Sequence, residues 1–416
     1  MLHAPSLLLL SLWLLPPASS DGPGGPALPF PGLPLPSAGQ SFRFLVYGDI
    51  QHNHREGHNR LVEQMMKEED VAFIIHPGDI SKDDGEGYVK DFLSVAAPLV
   101  EHTPFFPSPG NHDVEWGSPA SRAGFTGFFR TVLGRLSELP QNAHMGDLQE
   151  QKLWYSFEYA GVLFICLDSN LFIDEGKYAA THQLEPYRGL REEQLEWLLD
   201  ELDRAKNDPA IRARFIFMHH SPFSSDENKP KFGLFGGHPG HREMMINQTI
   251  PGLTAGEHRL YLTDLLRSSK VTSVFTGHVH YYERWREVIR NGDSYVHVLN
   301  WFVVGNGGVR LRGKPLSDPQ DIRELFEDEE VFLAYQQRAR DAVPGWRSQL
   351  QHAFPNPEFP DGRFHGYVVV EVRPQGIFFQ TKDIYGQVRD SGQLSGDLSR
   401  LPGLRRPDTV PDSESR

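Results

Sequence analysis

Five short apolar runs in this chain each stop at a group that can bind a cation or move a proton. FRFLVY is followed by Gly48-Asp49-Ile50-Gln51, VAFIIHP by Gly78-Asp79, and HTPFFPSP by Gly110-Asn111-His112-Asp113. RFIFM is followed by His219-His220, and VTSVFT by Gly277-His278-Val279-His280. Runs of this length, rich in β-branched and aromatic residues, read as buried strands. Ligands of an open α/β sheet gather beyond the carboxyl ends of its strands, so the five segments can converge on one crevice. Glycine ahead of the polar residue permits a sharp turn and close backbone approach.

Helix-like segments separate the runs: NRLVEQMMKEED, GEGYVKDFLSVAAPLV, REEQLEWLLDELDRAK and HRLYLTDLLRSS. Strand runs alternating with amphipathic helices predict a layered α/β (α+β) fold. In the third helix Leu195, Leu198, Leu199 and Leu202 share one face, which marks it as scaffold. Beyond the histidine pair the texture changes. RWREVIRNGDSYVHVLNWFVVG predicts a hairpin turning at Asn291-Gly292, and GYVVVEVRPQGIFFQTKDIYGQVRDS predicts another. Residues 41–395 are expected to form a single domain with insertions near 114–153, 224–258 and 309–365, the last polar and helix-prone. Residues 21–40, rich in Pro and Gly, read as a linker, and 396–416 as a disordered tail.

With 416 residues and 39% hydrophobic content the chain can build a large core. Its net charge of −14, with acids dispersed, argues against nucleic acid as a partner. A small anionic substrate stays open, since a bound metal inverts the local field. Leu7–Leu15 is apolar but too short to span a bilayer, and Ala18-Ser19-Ser20 suits cleavage. Residues 1–20 therefore read as a signal peptide of a secreted or periplasmic protein, with no transmembrane anchor elsewhere. Cys166 is the only cysteine, so no intrachain disulfide is possible, and its apolar run marks it as a buried small hydrophobe.

The donor set at the strand ends combines carboxylates, an amide oxygen and imidazoles. That mixture suits Mn, Fe or Zn, whereas an all-oxygen cage suits Ca. A carboxylate placed between two such ions can bridge them at about 3.5–4 Å, a spacing that clamps both the attacking and the leaving oxygen of an in-line displacement.

The ordered blocks GDIQ, GD, GNHD, HH and GHVH resemble the calcineurin-like metallophosphoesterase superfamily over roughly residues 41–390. YYER after GHVH, and QLEWLLDEL…FMHHSPFSS, resemble most its purple-acid-phosphatase-like branch. The resemblance implies a β-sandwich flanked by helices, with a dinuclear metal site at the carboxyl ends of strands. It implies two divalent or trivalent transition-metal ions (Fe, Mn or Zn). Asp49 and His280 would hold the first, Asp79 would bridge, and Asn111, His278 and one of His219 and His220 would hold the second. His219 directly follows the strand and is preferred, while counting His-x-Pro selects His220. His112 would serve as general acid toward the leaving group, after attack by a metal-held hydroxide.

Two positions depart from the family patterns. Gln51 stands where many members carry a histidine, and it is a weaker, neutral candidate ligand. Lys82 stands where the purple enzymes place a ligating tyrosine, so a tyrosinate-to-iron colour is not expected. The reading is a secreted phosphoesterase acting on small phosphate esters, monoesters favoured over diesters. The rivals are an inactive binding or adhesion protein on the same fold, and a secreted nucleotidase.

The remaining candidates have quieter readings. His52, His54 and His58 read as solvent-facing residues at a helix start, and His76 as a strand end. Glu283 and Arg284 read as an ion pair with each other, Tyr281 and Tyr282 as packing, and His238 and His241 as residues of a loop. The GNGG at 305–308 lacks the strand–helix context of a nucleotide loop and reads as a turn.

Overall fold

The computed structural model describes residues 32–34, 40–51, 55–81, 92–114, 119–133, 144–145, 152–172, 185–221, 262, 265–291, 294–311, 351–352 and 356–396. Residues 1–20, expected to be a signal peptide, most of the expected linker, Lys82, His52, His54, His238, His241 and the residues beyond Gly396 lie outside them, as does most of the expected insertions at 224–258 and 309–365.

Two mixed sheets form the frame. In the first, β1 (Phe42–Val46), β2 (Val71–His76) and β3 (Phe105–Pro107) run parallel. On the other side of β1 follow β13 (Gly366–Arg373), β14 (Gly376–Asp383) and β15 (Val388–Gly396), all antiparallel. In the second sheet β6 (Val162–Cys166), β7 (Ala213–Phe217) and β8 (Ser273–Thr276) run parallel, joined on one side by β5 (Tyr155–Tyr159) and β4 (His144–Met145). On the other side stand β10 (Ser294–Val304), β9 (Tyr282–Asn291) and, pairing with β9, β11 (Gln351–His352) and β12 (Asn356–Gly362). The segment 309–365 thus ends in strand rather than helix where it is described, because β9 offers an open edge.

Strand alternation sends every second residue between the sheets, and the chain places phenylalanine there. Phe44 of β1 meets Phe164 and Phe215 of the other sheet edge-on at 5.2 and 5.3 Å. Phe73 of β2 meets Phe157 and Phe164 at 5.5 and 5.1 Å, and Phe106 of β3 stacks on Phe157 at 4.2 Å. Edge-to-face and offset contacts suit the ring quadrupole, and truncating one such buried Phe to Ala costs about 3–5 kcal/mol. This aromatic layer locks the sheets face to face, so the loops at their carboxyl ends share one rim.

Helices close the outer faces. α1 (Arg55–Met65) buries Leu61, Val62 and Met65, and α2 (Leu93–Val100) buries Val95 and Leu99. α3 (Pro119–Leu133) adds Phe125, Phe128 and Phe129 to the same core. On the second sheet, α4 (Glu185–Asn207) packs Leu195, Leu198 and Leu202 against Leu163, Ile165, Ile216 and Val274, with Leu199 partly covered. Both expected hairpins form: Asn291 faces Ser294 in β9–β10, and β13–β14 continues into β15.

Two readings change in the folded chain. His58 is a core residue, not a solvent-facing one: its ring stacks with Tyr47 and Phe92, under α1. Its helical position turns it onto the apolar face with Leu61. Adjacent residues of a strand point to opposite faces, so Glu283 and Arg284 part company. Arg284 reaches Asp390 of β15 at 2.7 Å, while Glu283 accepts the Trp285 indole N–H. Tyr282 is packing, as expected, but its hydroxyl also donates to Asp390 at 2.8 Å. Cys166 is buried, as expected, with its thiol on the Pro107 carbonyl.

Candidate metal centre

Each parallel strand ends one to four residues short of a polar side chain, and the chain there bends sharply. Asp49, Gln51, Asp79 and His278 all have positive φ, at 57°, 43°, 58° and 69°. The left-handed region costs a non-glycine residue about 1–3 kcal/mol, and such strain gathers at functional sites. Two glycines make the approach possible. A Cβ on Gly110 would sit 2.2 Å from the Asp79 amide nitrogen and carboxylate, and one on Gly277 would sit 2.1 Å from Asp49 Oδ2. Neither loop could close over a larger residue.

Backbone bonds then stitch the loops together. Asp49 N–H donates to Gly78 O at 3.1 Å, Ile50 N–H to Asp79 O at 2.9 Å, and Gly277 N–H to His219 O at 2.9 Å. The GNGG segment is a turn, as expected, and it buttresses the first loop: Gly307 N–H donates to Gly48 O at 2.8 Å and Val309 N–H to Asp49 O at 3.0 Å.

On one side of the rim four donor atoms crowd together. His219 Nε2 lies 2.9 Å from Asn111 Oδ1, 3.3 Å from His278 Nδ1 and 3.4 Å from Asp79 Oδ1, while His278 Nδ1 lies 2.9 Å from Asn111 Oδ1. A ring nitrogen of His220 also lies within 4.8 Å of those of His219 and His278. On the other side Asp49, Asp79 and His280 bring ligand atoms within 4.8 Å of one another, with His280 Nε2 3.7 Å from Asp49 Oδ1. Asp79 thus stands between both groups. Carboxylate and amide oxygens only accept in these pairings, and buried atoms bearing lone pairs gather at such distances where a cation can satisfy them. The donor set fits two transition-metal ions.

The surrounding bonds aim these atoms. His219 Nδ1 lies 2.9 Å from the Pro77 carbonyl, which can only accept, so this nitrogen carries a proton and Nε2 faces the centre. His278 N–H donates to both Asp49 oxygens, at 2.9 and 3.0 Å. Asp79 Oδ1 accepts the His112 N–H at 3.0 Å, and Oδ2 accepts the Gln51 amide nitrogen at 2.5 Å. Gln51 therefore meets the centre as a hydrogen-bond donor to Asp79, and only its Oε1 could serve a cation.

Electrostatics follow from this burial. Burial works against charge on His219, but the carboxylates of Asp79 and Asp49 outweigh it and push its pKa up to about 9. Burial likewise opposes the Asp79 charge, yet His219 beside it holds that carboxyl well below the usual range. Asp49 goes the other way: burial, with the Asp79 charge, raises it well above an ordinary aspartate.

Two residues near the centre had no role in the sequence reading. Asp113 accepts the N–H of Asp79 at 2.7 Å, of Gly110 at 2.8 Å and of Ser81 at 3.0 Å. Ser169 follows β6 and accepts the N–H of His219 and of His220. Its neighbour Asn170 donates to Pro109 O at 3.2 Å, and Gln194 of α4 clamps Asp168 through two bonds. The signal was there: GVLFIC ends in Leu-Asp-Ser-Asn, as the other apolar runs end in polar residues.

Comparison with known proteins agrees with this geometry. The family model for the calcineurin-like phosphoesterases matches residues 42–282. Purple acid phosphatase 22 of Arabidopsis thaliana is 26% identical over 263 residues, covering 62% of this chain and 50% of that protein. Purple acid phosphatase 18 of the same plant is 28% identical over 302 residues, 71% of this chain and 56% of its own length. Probable inactive purple acid phosphatase 27, also from Arabidopsis thaliana, is 23% identical over 279 residues, 63% of this chain and 39% of its own. The chain spans about half the length of the curated relatives it matches. The structure of purple acid phosphatase PPD1 from yellow lupin seeds shares the fold, with TM-score 0.52 at 18% identity over 88% of this chain and 56% of that one. With a family model that covers more than half of the chain, the parallel strands β1–β3 and β6–β8 and every candidate ligand, the chain belongs to the calcineurin-like phosphoesterases.

Proposed function

We propose that this protein hydrolyses small phosphate esters, with monoesters favoured over diesters. The observation that carries the reading is the meeting of Asp49, Asp79, Asn111, His219, His278 and His280 from two sheets around one centre. Asp49, Asp79 and His280 would hold one ion of Fe, Mn or Zn, and Asp79, Asn111, His219 and His278 the other. When bound, the pair supplies an activated water for attack at phosphorus and neutralises charge on the phosphoryl oxygens.

The chain's own residues supply position and protons. Asp113 and Gln51 hold the Asp79 loop and carboxylate in place. His112, tied to Asp79 through its backbone N–H and half-buried beside it, is the group that would protonate the departing alkoxide. The pattern of residues 1–20 supports a secreted or periplasmic location, and no described helix is long and apolar enough to cross a membrane.

A second reading is a binding protein without turnover, favoured by relatives that carry the word inactive in their names. An assay of p-nitrophenyl phosphate and its bis ester with Mn, Fe, Zn and Co separates the two. Metal-dependent release of p-nitrophenol is expected. Folded protein that releases none with any of these metals is the binder.

A further inference from the structure

Ser169 has one hydroxyl proton to give and two lone pairs to receive with. Its Oγ lies 3.2 Å from the backbone nitrogen of His219 and 3.0 Å from that of His220, and both of these can only donate. The lone pairs are thereby used, and together with Cβ they leave one tetrahedral direction. His220 Nδ1 lies 2.9 Å from the same Oγ. The hydroxyl must donate there, so His220 Nδ1 accepts, and the neutral ring carries its proton on Nε2. His219 is set the opposite way: its Nδ1–H goes to the Pro77 carbonyl, so Nε2, which faces Asn111, His278 and Asp79, is the nitrogen that gives up its proton when a cation binds.

The two adjacent histidines are thus built for different work. A nitrogen bearing a proton cannot ligate a cation, but it donates well to an anionic oxygen. The His220 ring lies 4.9 Å from the His219 ring and 4.7 Å from the His278 ring, at the edge of the donor group rather than remote from it. It is buried, so a hydrogen bond from it to a charged oxygen escapes competition with bulk water.

We propose that His220 is a catalytic residue that donates Nε2–H to a phosphoryl oxygen of the ester, and that Ser169 is the positioning residue that fixes its tautomer. Of the pair, His219 alone then serves the metal. The inference rests on the phosphoesterase reading for its ligand, but not for its tautomer.

The experiment uses the full chain. Metal content and inorganic phosphate affinity are measured for the parent, His219→Ala, His220→Ala and His220→Gln, with kcat and KM on p-nitrophenyl phosphate. His219→Ala is expected to lose bound metal. His220→Ala is expected to keep the parent metal content while phosphate affinity and kcat/KM fall at least tenfold, and His220→Gln, which retains an N–H donor, recovers most of that loss. Nitrogen-15 spectra of the zinc-loaded and metal-free chain, assigned by difference with His220→Gln, are expected to find Nδ1 of His220 unprotonated. Ser169→Ala should allow both tautomers, and Ser169→Thr should restore one. Should Ser169→Ala not fold, the His220 variants decide.

Loss of metal from His220→Ala equal to that from His219→Ala overturns the inference, as does a protonated Nδ1 or unchanged phosphate affinity in metal-replete His220→Ala. A parent that neither takes up metal nor turns over ester sinks the phosphoesterase reading instead, and the nitrogen-15 result stands apart from it.

Discussion

The carboxylate of Asp113 accepts the backbone N–H of Asp79 at 2.7 Å, across 34 positions of chain. The last residue of GNHD thereby holds the loop whose aspartate stands between both donor groups. Asp113 is fully buried, and burial together with the Asp79 charge pushes its pKa up to about 6 against the pull of the Ser81 and Gly110 N–H groups. Asp113→Asn keeps the shape but turns an NH2 toward backbone donors. It is expected to lower unfolding free energy by about 3 kcal/mol and to reduce metal content. Urea denaturation and elemental analysis check both.

Asp79→Asn removes the charge that serves either side of the centre. Protein purified without added metal is expected to carry up to two ions per chain in the parent and clearly fewer in the variant, by elemental analysis. Unchanged content would remove Asp79 from its place between the two groups.

His112 is expected to act on the leaving group and not on the metals. His112→Ala should keep the parent metal content and lower kcat by about 10²–10⁴-fold on an alkyl phosphate. The drop should be smaller on p-nitrophenyl phosphate, whose phenolate departs with little help from a proton. Equal losses on both substrates would remove the general-acid role.

Metal-free protein should lose stability as pH rises. His219 has a folded pKa near 9, above that of an ordinary histidine, so its contribution is complete below about 6.5 and disappears as pH passes through 9. The raised Asp113 works in the same direction at lower pH, between about 4 and 6. Urea midpoints of chelator-treated protein at pH 6, 7.5 and 9 are expected to fall in that order. Added zinc should reverse the trend, because a cation replaces the proton on Nε2 and binds more tightly as pH rises.

Local pattern made much of the molecule legible. Strand alternation, the stripe Leu195, Leu198 and Leu202, and the β9–β10 hairpin depend on neighbours a few residues apart, so the chain states them outright. The candidate ligands were legible for a related reason: a parallel strand delivers whatever follows it to the rim, so residue type after an apolar run is itself the signal. The partners of those residues were not. Arg284 finds Asp390 at a separation of 106 residues, His220 finds Ser169 at 51, and Asp113 finds Ser81 at 32. Which strands lie side by side settles those bonds, and no short-range periodicity encodes that order. The chain alone determined which donors reach the rim; only the packed sheets decided which nitrogen of His219 and of His220 carries the proton, because the Pro77 carbonyl can only accept while the Ser169 hydroxyl, its lone pairs taken, must donate.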